Sequence, residues 1–183
     1  MPVPIRLLTD ADRPLLRQAT LANMNWSGRH FTAADVDASD EINHYFRTFP
    51  SARDLGVADV EGETVRGVAW LVFLPVENPG YGFVDADIPE LSITTFEGFR
   101  GQGVGTALLI ELLTFARARG VHAVSLSVED GNGARRLYER AGFVVVGRKG
   151  GSDTMLLEGG LLPPRSSPTS PTIGRSEMRP HLR

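Results

Sequence analysis

A run of three glycines between two strongly patterned segments constrains the fold of this chain more than any other feature. The run consists of Arg100, Gly101, Gln102, Gly103, Val104, Gly105 and Thr106. Residues 91–96 before it are rich in β-branched and aromatic side chains, which predicts a strand. After it, apolar residues recur at spacings of three and four as far as Gly120, which predicts a helix. These apolar residues are Leu108, Leu109, Leu112, Leu113 and Ala116.

The chain is therefore expected to pass from a strand through glycines into a helix, an arrangement that can bind an anion. The first N–H groups of a helix have no intrahelical partner and lie at the positive end of its dipole. Glycine permits a positive φ and lets a phosphate approach without a Cβ in the way. Arg100 could add a charge-assisted hydrogen bond. From these residues alone, a tight turn that only packs the helix on the strand is the alternative.

Two familiar phosphate-binding loops do not match the run. The nucleoside-triphosphate loop requires lysine followed by serine or threonine, and no lysine lies near residues 100–106. The dinucleotide fingerprint requires glycine or alanine where Thr106 stands. Only about eighty residues follow the run, which is too few for a two-half dinucleotide fold.

Composition indicates one globular domain and excludes several kinds of site. The chain has 183 residues, 42% hydrophobic and 22% charged, which allows a substantial core. Cysteine is absent, so disulfides, thiolate metal sites and a cysteine nucleophile are excluded. The four histidines are scattered without metal-ligand spacing, and we expect no metal. We find no signal-peptide pattern and no long apolar segment, so we expect a cytoplasmic protein.

Charge is distributed unevenly along the chain. The whole chain carries −3, whereas residues 160–183 contain four arginines and one glutamate, which leaves −6 on residues 1–159. An acidic body argues against a nucleic-acid partner and favours a cationic substrate such as an amine. Residues 159–183 are rich in proline, serine and arginine and poor in large apolar residues. We therefore expect a folded domain over residues 1–158 and a disordered tail after it.

The remaining patterns predict a mixed α/β fold. Before the central strand, we expect a strand at 5–8, helices at 9–23 and 32–47, a strand hairpin at 55–60 and 64–74, and a loop at 75–89. Thr32 is the expected N-cap of the second helix. After the glycine run and its helix, we expect a strand at 121–128, a helix at 134–141 and strands at 143–147 and 154–157. A strand, helix and strand in succession predict that the strands at 91–96 and 121–128 run parallel.

Two motifs in this order resemble those of the GNAT superfamily of N-acetyltransferases. The first is Arg-x-x-Gly-x-Gly from Arg100, and the second is Asn-x-Ala-x-x-Leu-Tyr from Asn132, followed by Gly-Phe where the helix ends. The motifs lie within residues 90–147, whereas residues 1–89 match the family only in the order of their elements. The resemblance implies a mixed, mostly antiparallel sheet splayed at its centre and flanked by about four helices. Acetyl-coenzyme A would lie between the two halves of the sheet.

The resemblance also implies roles in coenzyme binding. The backbone of the splayed strand would hydrogen-bond the pantetheine arm at Ile93, Thr94 and Thr95. The amides of residues 101–106, with Arg100 at the first motif position, would bind the pyrophosphate. Asn132 would contact the coenzyme arm, and a plain N-cap is the other role compatible with its position.

Two residues would carry the chemistry of such an enzyme. Tyr138 matches the tyrosine that protonates the departing thiolate, and a tyrosine packed in the core is the alternative. The acceptor amine must lose a proton before it attacks, because an ammonium has no lone pair. Glu90, at the start of the splayed strand, stands where several family members place a general base, and a solvated glutamate is its alternative. Asp85, Asp87 and His122 are weaker candidates for the base.

We therefore expect an N-acetyltransferase that uses acetyl-coenzyme A and a primary amine of a small molecule, peptide or protein. The amine would attack directly in a ternary complex. A catalytically inactive acyl-coenzyme A-binding domain is the alternative from another class, and an enzyme that uses another acyl group, such as succinyl or malonyl, is a third. A homodimer is also compatible with the resemblance. The sequence does not distinguish among amine acceptors.

Overall fold

The computed structural model describes residues 4–159, which form one sheet of seven strands with helices on both faces. The strands lie in the order β1-β2-β3-β4-β5-β7-β6, and every neighbouring pair is antiparallel except β4 and β5. The prediction of a mixed, mostly antiparallel sheet is confirmed. The tail predicted from residue 159 lies, beyond its first residue, outside the described residues. The strands are β1 (Ile5–Leu7), β2 (Leu55–Glu61), β3 (Thr64–Val72), β4 (Glu90–Thr95), β5 (Ala123–Glu129), β6 (Val144–Lys149) and β7 (Ser152–Glu158).

The described part of the chain contains five α-helices. The prediction of one continuous helix over residues 32–47 is wrong, because Ser39 is extended, with φ −96° and ψ 114°. The Asn43 side chain donates to the Asp37 carbonyl at 3.0 Å, which gives that carbonyl a partner where the helix is interrupted. The predicted N-cap is confirmed, since Thr32 Oγ1 accepts a first-turn N–H at 3.2 Å. The helices are α1 (Arg13–Met24), α2 (Ala33–Ala38), α3 (Asp40–Asn43), α4 (Val104–Ala118) and α5 (Arg135–Ala141).

The two faces of the sheet have separate cores. On one face, the apolar residues predicted for α4 are all buried, and they form one cluster with Val57, Ala69 and α5. On the other face, helices α1 to α3 pack over Trp70, which is fully buried and donates its indole N–H to the Tyr45 carbonyl at 2.8 Å. The sheet is thus covered on both sides around β3 and β4.

Strands β4 and β5 are parallel, as predicted, but they pair only near their starts. Glu90 lies opposite Ser125, and the Ser125 N–H donates to the Pro89 carbonyl at 3.0 Å. Beyond this point, β4 continues along β3 on one side and has no strand partner within residues 4–159 on the other. The sheet is therefore splayed at its centre, and the glycine run with α4 follows the open end of β4.

Candidate active site

The free edge of β4 presents backbone groups that a ligand can use. Just past the strand, the Phe96 N–H donates to the Arg66 carbonyl of β3 at 2.9 Å. In an antiparallel ladder alternate residues bond to the same neighbour, so the even-numbered residues of β4 bond to β3. The odd-numbered residues point the other way, as Pro89 does when it bonds to β5. The Leu91 N–H completes the bridge to Ser125, so the opening is faced by the backbone N–H and C=O groups of Ile93 and Thr95.

Thr94 is placed differently from the residues beside it. Its backbone belongs to the ladder with β3, and its hydroxyl lies 2.7 Å from Asn23 Oδ1 and 3.3 Å from the Ala19 carbonyl of α1. Of the three residues predicted to bind a pantetheine arm, Ile93 and Thr95 face the opening, whereas Thr94 connects α1 to the sheet. The sequence did not separate Thr94 from its two neighbours, because only the register against β3 tells which residues of β4 face away from it.

The glycine run forms the N-terminus of α4. Gly101 and Gly103 have φ of 75° and 81°, and at both positions no neighbouring atom lies within 4 Å of the place a Cβ would occupy. Gly103 caps the helix without a side-chain bond, and the first intrahelical bond joins the Ala107 N–H to the Gly103 carbonyl at 3.0 Å. Three N–H groups therefore have no partner in the helix, those of Val104, Gly105 and Thr106. This arrangement fits the phosphate groups of a coenzyme.

Gly105 is the point where three elements of the site meet. Unlike the two glycines before it, it has no positive φ. A Cβ at Gly105 would lie 3.3 Å from Thr95 Oγ1 of β4 and 3.6 Å from Leu137 Cδ2 of α5. A side chain at Gly105 would therefore press on Thr95. Because Tyr138 follows Leu137, the same contact brings the Tyr138 helix beside the glycine run.

Two side chains of the glycine run lie on its surface. Arg100 is exposed, and its Nε lies 3.5 Å from the Thr95 carbonyl. A depression of about 670 Å³ lies beside Arg100, between α1 and the end of β4. Gln102 instead donates its side-chain N–H to the Gly98 carbonyl at 2.8 Å. Arg100 thus lies exposed just before the helix N-terminus, whereas the Gln102 side chain stabilises the turn.

Asn132 stabilises the turn that leads into α5. Its Oδ1 accepts the Ala134 N–H at 3.0 Å, and its backbone N–H donates to the Glu129 carbonyl at 3.1 Å. It is not the N-cap of the helix, which is Ala134. Within residues 4–159, the side-chain NH₂ group of Asn132 donates to no other group. The oxygen therefore supports the turn, and the NH₂ group remains available to a ligand.

Tyr138 lies on the buried side of α5 and is 8% exposed. Its ring packs edge-on against Phe143, with the ring centroids 5.9 Å apart. Burial raises the pKa of Tyr138 above its ordinary value, so the hydroxyl is protonated at neutral pH. Within residues 4–159 the hydroxyl has no hydrogen-bond partner, but it is not completely enclosed. The ring is thus part of the core, and the hydroxyl can donate a proton.

Glu90 is buried at the closed end of the opening and is only 4% exposed. Its Oε1 accepts hydrogen bonds from the Tyr45 hydroxyl at 2.7 Å and from the Gly82 N–H at 2.8 Å. Its Oε2 is enclosed and has no partner in the described chain. Burial raises the pKa of Glu90 to about 7, although both hydrogen bonds act in the opposite direction. Glu90 is therefore not a solvated surface glutamate, and it can exchange a proton near neutral pH.

Three residues around Glu90 were not predicted from the sequence. Tyr45 lies 45 positions before Glu90, in the turn after α3, and nothing local links the two. A Cβ at Gly80 would lie 2.0 Å from Glu90 Oε2, and one at Gly82 would lie 2.3 Å from the Leu126 carbonyl carbon of β5. The loop over residues 75–89 thus closes over the carboxylate. The sequence predicted a loop at 75–89, but not which atoms it would cover.

Aromatic and acidic side chains surround this end of the site. The Tyr81 ring is 40% exposed and stacks on Tyr45, with the centroids 6.2 Å apart. Trp26, just after α1, donates its indole N–H to Glu129 Oε2 at 2.6 Å. Burial and three carboxylates raise the pKa of Tyr81, those of Glu41, Glu90 and Glu129. The charges that act on the Tyr81 ring are therefore negative.

The three weaker candidates for the base do not contact Glu90 or Tyr45 in the described chain. Asp87 is exposed and pairs with Arg53 at 3.1 Å, and Asp85 accepts the Asp87 N–H at 2.9 Å. His122 is exposed between α4 and β5. Asp87 and His122 line a separate depression of about 450 Å³. Glu90 is thus the one carboxylate among the four candidates that is buried.

The chain belongs to the acetyltransferase (GNAT) family. The family model matches residues 20–143, a range that includes β4, the glycine run and both motifs. The splayed sheet and the uncapped helix N-terminus lie within this range. The family match thus covers the candidate site.

One curated relative in this family is the L-methionine sulfoximine/L-methionine sulfone acetyltransferase of Pseudomonas aeruginosa. The two sequences are 36% identical over 88 residues, which covers 43% of this chain and 51% of the relative. The same protein from Pseudomonas paraeruginosa matches equally well. The chain thus spans about half the length of the curated relatives it matches.

Solved structures share the fold over most of the chain. The structure of yncA from Salmonella typhimurium with its cofactor acetyl-CoA has a TM-score of 0.60 and 22% identity. The matched region covers 93% of this chain and 99% of the yncA chain. The PaiA N-acetyltransferase of Thermoplasma acidophilum in complex with coenzyme A has a TM-score of 0.61 and 17% identity, with coverages of 84% and 98%. At these identities, the similarity establishes the fold.

Proposed function

We propose that this protein transfers an acetyl group from acetyl-coenzyme A to a primary amine. The proposal rests mainly on one observation, the convergence of the free edge of β4, the uncapped N-terminus of α4 and helix α5 at Gly105. The first amides of α4, with Arg100, would hold the pyrophosphate. The pantetheine arm would take the place of a strand partner for Ile93 and Thr95 of β4. The fold shared with structures that contain acetyl-CoA or coenzyme A supports this assignment.

Direct attack by an acceptor that starts as an ammonium requires the nitrogen to lose two protons and the leaving sulfur to gain one, and the chain offers a group for the first loss and for the gain. Glu90 in its carboxylate form accepts the proton that the ammonium loses, directly or through water. Once the C–N bond has formed, the C–S bond breaks and Tyr138 donates its proton to the sulfur, while the second proton of the nitrogen passes to solvent and a solvent proton restores Tyr138. The N–H groups on the free edge of β4 stabilise the negative charge that develops on the carbonyl oxygen. The products are an N-acetylated amine and coenzyme A.

The acceptor in this proposal is a primary amine of a small molecule, peptide or protein. The carboxylates around Tyr81 favour an acceptor that is cationic before it loses its proton. The Pseudomonas relative is named for its action on L-methionine sulfoximine and L-methionine sulfone, both of which carry an α-amino group. These two compounds are therefore the first acceptors to test, followed by polyamines, aminoglycosides and peptides with a free N-terminus.

The setting of the protein is also part of the proposal. We propose an enzyme of the cytoplasm that does not use nucleic acid as a partner. The charge of −6 on residues 1–159 supports the last point, since a polyanion would be repelled. A homodimer is compatible with this proposal. No helix within residues 4–159 is long and apolar enough to cross a membrane.

The decisive experiment is release of free thiol from acetyl-coenzyme A in the presence of each acceptor, with mass spectrometry of the product. We expect thiol release that depends on the acceptor and a product heavier by one acetyl group. Calorimetry with coenzyme A is run on the same preparation. Binding without turnover of any acceptor would favour the inactive acyl-coenzyme A-binding domain, and absence of binding would contradict the proposal as a whole.

The choice of acyl group needs a separate measurement. Acetyl-, succinyl- and malonyl-coenzyme A are compared in a thermal-shift titration and in the thiol assay with the best acceptor. We expect acetyl-coenzyme A to give the highest kcat/KM. A higher kcat/KM for a dicarboxylic acyl group would replace acetyl transfer by transfer of that group, and the rest of the mechanism would stand.

A further inference from the structure

A chain of hydrogen bonds fixes the buried carboxylate of Glu90. The Tyr45 hydroxyl accepts the Tyr81 backbone N–H at 2.8 Å and lies 2.7 Å from Glu90 Oε1. A phenol has one proton, and the Tyr81 N–H already occupies its acceptor side, so the Tyr45 proton points to Glu90. The Gly82 N–H donates to the same oxygen at 2.8 Å. Oε1 therefore receives two hydrogen bonds.

The other carboxylate oxygen is left for proton exchange. Glu90 Oε2 is enclosed without a partner, and Gly80 approaches so closely that a Cβ there would lie 2.0 Å from it. Since Oε1 is held by two donors, the carboxylate cannot rotate without breaking both bonds. The lone pairs that no group of the described chain occupies are then those of Oε2. The orientation of the base is thus set by contacts to Oε1.

We propose that Tyr45 is a positioning residue for Glu90, which it holds in the orientation and ionised form needed to accept the proton of the acceptor amine. This inference rests on the proposed role of Glu90 in acetyl transfer. Tyr45 itself touches neither the coenzyme nor the acceptor in this proposal. Its ring is buried and stacks on Tyr81, so its position is fixed by packing as well as by the hydrogen bonds.

The surroundings of Glu90 make its ionisation depend on few groups. Burial raises its pKa to about 7, and the bonds from Tyr45 and Gly82 are what lower it. The titratable neighbours across the carboxylate are Tyr45 after α3 and Tyr81 in the 75–89 loop, and His44 packs edge-on against Tyr45. Ser125 faces Glu90 from β5, and Glu41 and Glu129 act on the Tyr81 ring. Loss of the Tyr45 hydroxyl should therefore raise the pKa of Glu90.

The test compares Tyr45→Phe with Tyr81→Phe. Both variants lose one phenol hydroxyl from the same aromatic stack, but Tyr81 contributes its backbone N–H to the network, which the substitution keeps. The pKa of Glu90 is measured by NMR titration of the side-chain carboxyl carbon in the full chain, with Glu90→Gln to assign the signal. We expect Tyr45→Phe to raise this pKa by about one to two units, and Tyr81→Phe to leave it nearly unchanged. An unchanged pKa in folded Tyr45→Phe would overturn the proposal.

A measurement on the wild-type protein covers the case in which Tyr45→Phe does not fold. The ring carbon that bears the Tyr45 hydroxyl should change its NMR shift as Glu90 titrates near pH 7, and more strongly than the corresponding carbon of Tyr81. No response of Tyr45 to that titration would also contradict the proposal, because the two groups would not then be bonded in solution.

A kinetic measurement separates this proposal from the proposed function. In wild type, kcat/KM should rise with pH as Glu90 loses its proton, and Tyr45→Phe should move that rise upward by the same amount as the NMR pKa. A purely structural role would lower activity at every pH without moving the rise. If Glu90→Gln keeps the wild-type pH profile, Glu90 is not the base, whereas the NMR result still decides whether Tyr45 controls its ionisation.

Discussion

Strand β4 has strand partners on both edges at its start, but along the rest of its length only the edge facing β3 is paired. At Glu90 the strand pairs on both sides, and a side chain from 45 positions away binds the carboxylate. At Ile93 and Thr95 one edge of the backbone is free, and the glycine run follows. The enclosed end can set the pKa of a side chain, whereas the open end can bind a ligand through N–H and C=O groups. The proposed proton transfer and coenzyme binding thus use opposite ends of one strand.

The largest expected effect lies at the open end, in the variant Gly103→Val. Its control is Gly120→Val at the other end of α4, because the two glycines have φ of 81° and 79° and both have open space around the missing Cβ. Both variants should lose stability from the left-handed backbone. Only Gly103→Val should weaken coenzyme A binding, by about 100-fold or more, as several charge-assisted bonds are lost. Calorimetry that finds equal affinities in the two variants would show that the glycine run does not bind the pyrophosphate.

Gly105→Val is a less specific variant of the same loop. A Cβ at Gly105 already lies 3.3 Å from Thr95 Oγ1, so valine would press on β4 and α5. We expect this variant to lose stability and binding together. Gly103 is therefore the better position at which to test the anion site.

The next effect concerns Tyr138, which lies on α5 across the opening. Tyr138→Phe should lower kcat by roughly 100-fold with little change in the KM for acetyl-coenzyme A, since the hydroxyl acts only as the thiolate leaves. Tyr81→Phe serves as the matched control, because its hydroxyl has no proposed role in that step. Steady-state kinetics with both substrates varied provide the test. Full kcat in Tyr138→Phe would remove the residue from the mechanism.

The enclosed end should make stability depend on pH. The pKa of Glu90 is about 7 in the folded state against an ordinary value of 4.5. The folded state therefore binds more protons between these values, so the free energy of unfolding contributed by Glu90 falls as pH rises through this window. Wild type should lose up to about 3 kcal/mol relative to Glu90→Gln between pH 4.5 and 7.5. Urea unfolding of both proteins measures the difference, and parallel curves would contradict the raised pKa.

The smallest effect is expected for Arg100, which is exposed at the mouth of the glycine run. Arg100→Gln should weaken coenzyme A binding about three- to ten-fold, because a solvent-exposed charge contributes modestly. Arg117→Gln, an exposed arginine in the last turn of the same helix, should have no effect. The difference should shrink at high salt, since exposed charges are screened. Titrations at two salt concentrations check this, and equal loss in both variants would assign the effect to net charge.

The sequence predicted the open end of the site in more detail than the enclosed end. The glycines, the two motifs and the apolar spacing of α4 predicted the strand, the turn, the helix and its buried face. Glu90 was identified through the resemblance, but its burial and its contacts were not. The single helix expected over residues 32–47 is interrupted at Ser39, and Tyr45 lies in the turns beyond that break. The partner of Glu90 therefore came from the part of the chain that was predicted least well.

The sequence alone determined the order of elements, the glycine-dependent turn and the family, because these depend on residue types at short, fixed spacings. The tertiary structure decided which residues of β4 face the opening, since that depends on the register against β3. It also decided the pKa of Glu90, because the fold buries the carboxylate, which raises the pKa, and brings Tyr45 to it from 45 positions away, which lowers the pKa. Local patterns specify backbone geometry, whereas the ionisation of a buried side chain depends on what the whole fold brings around it.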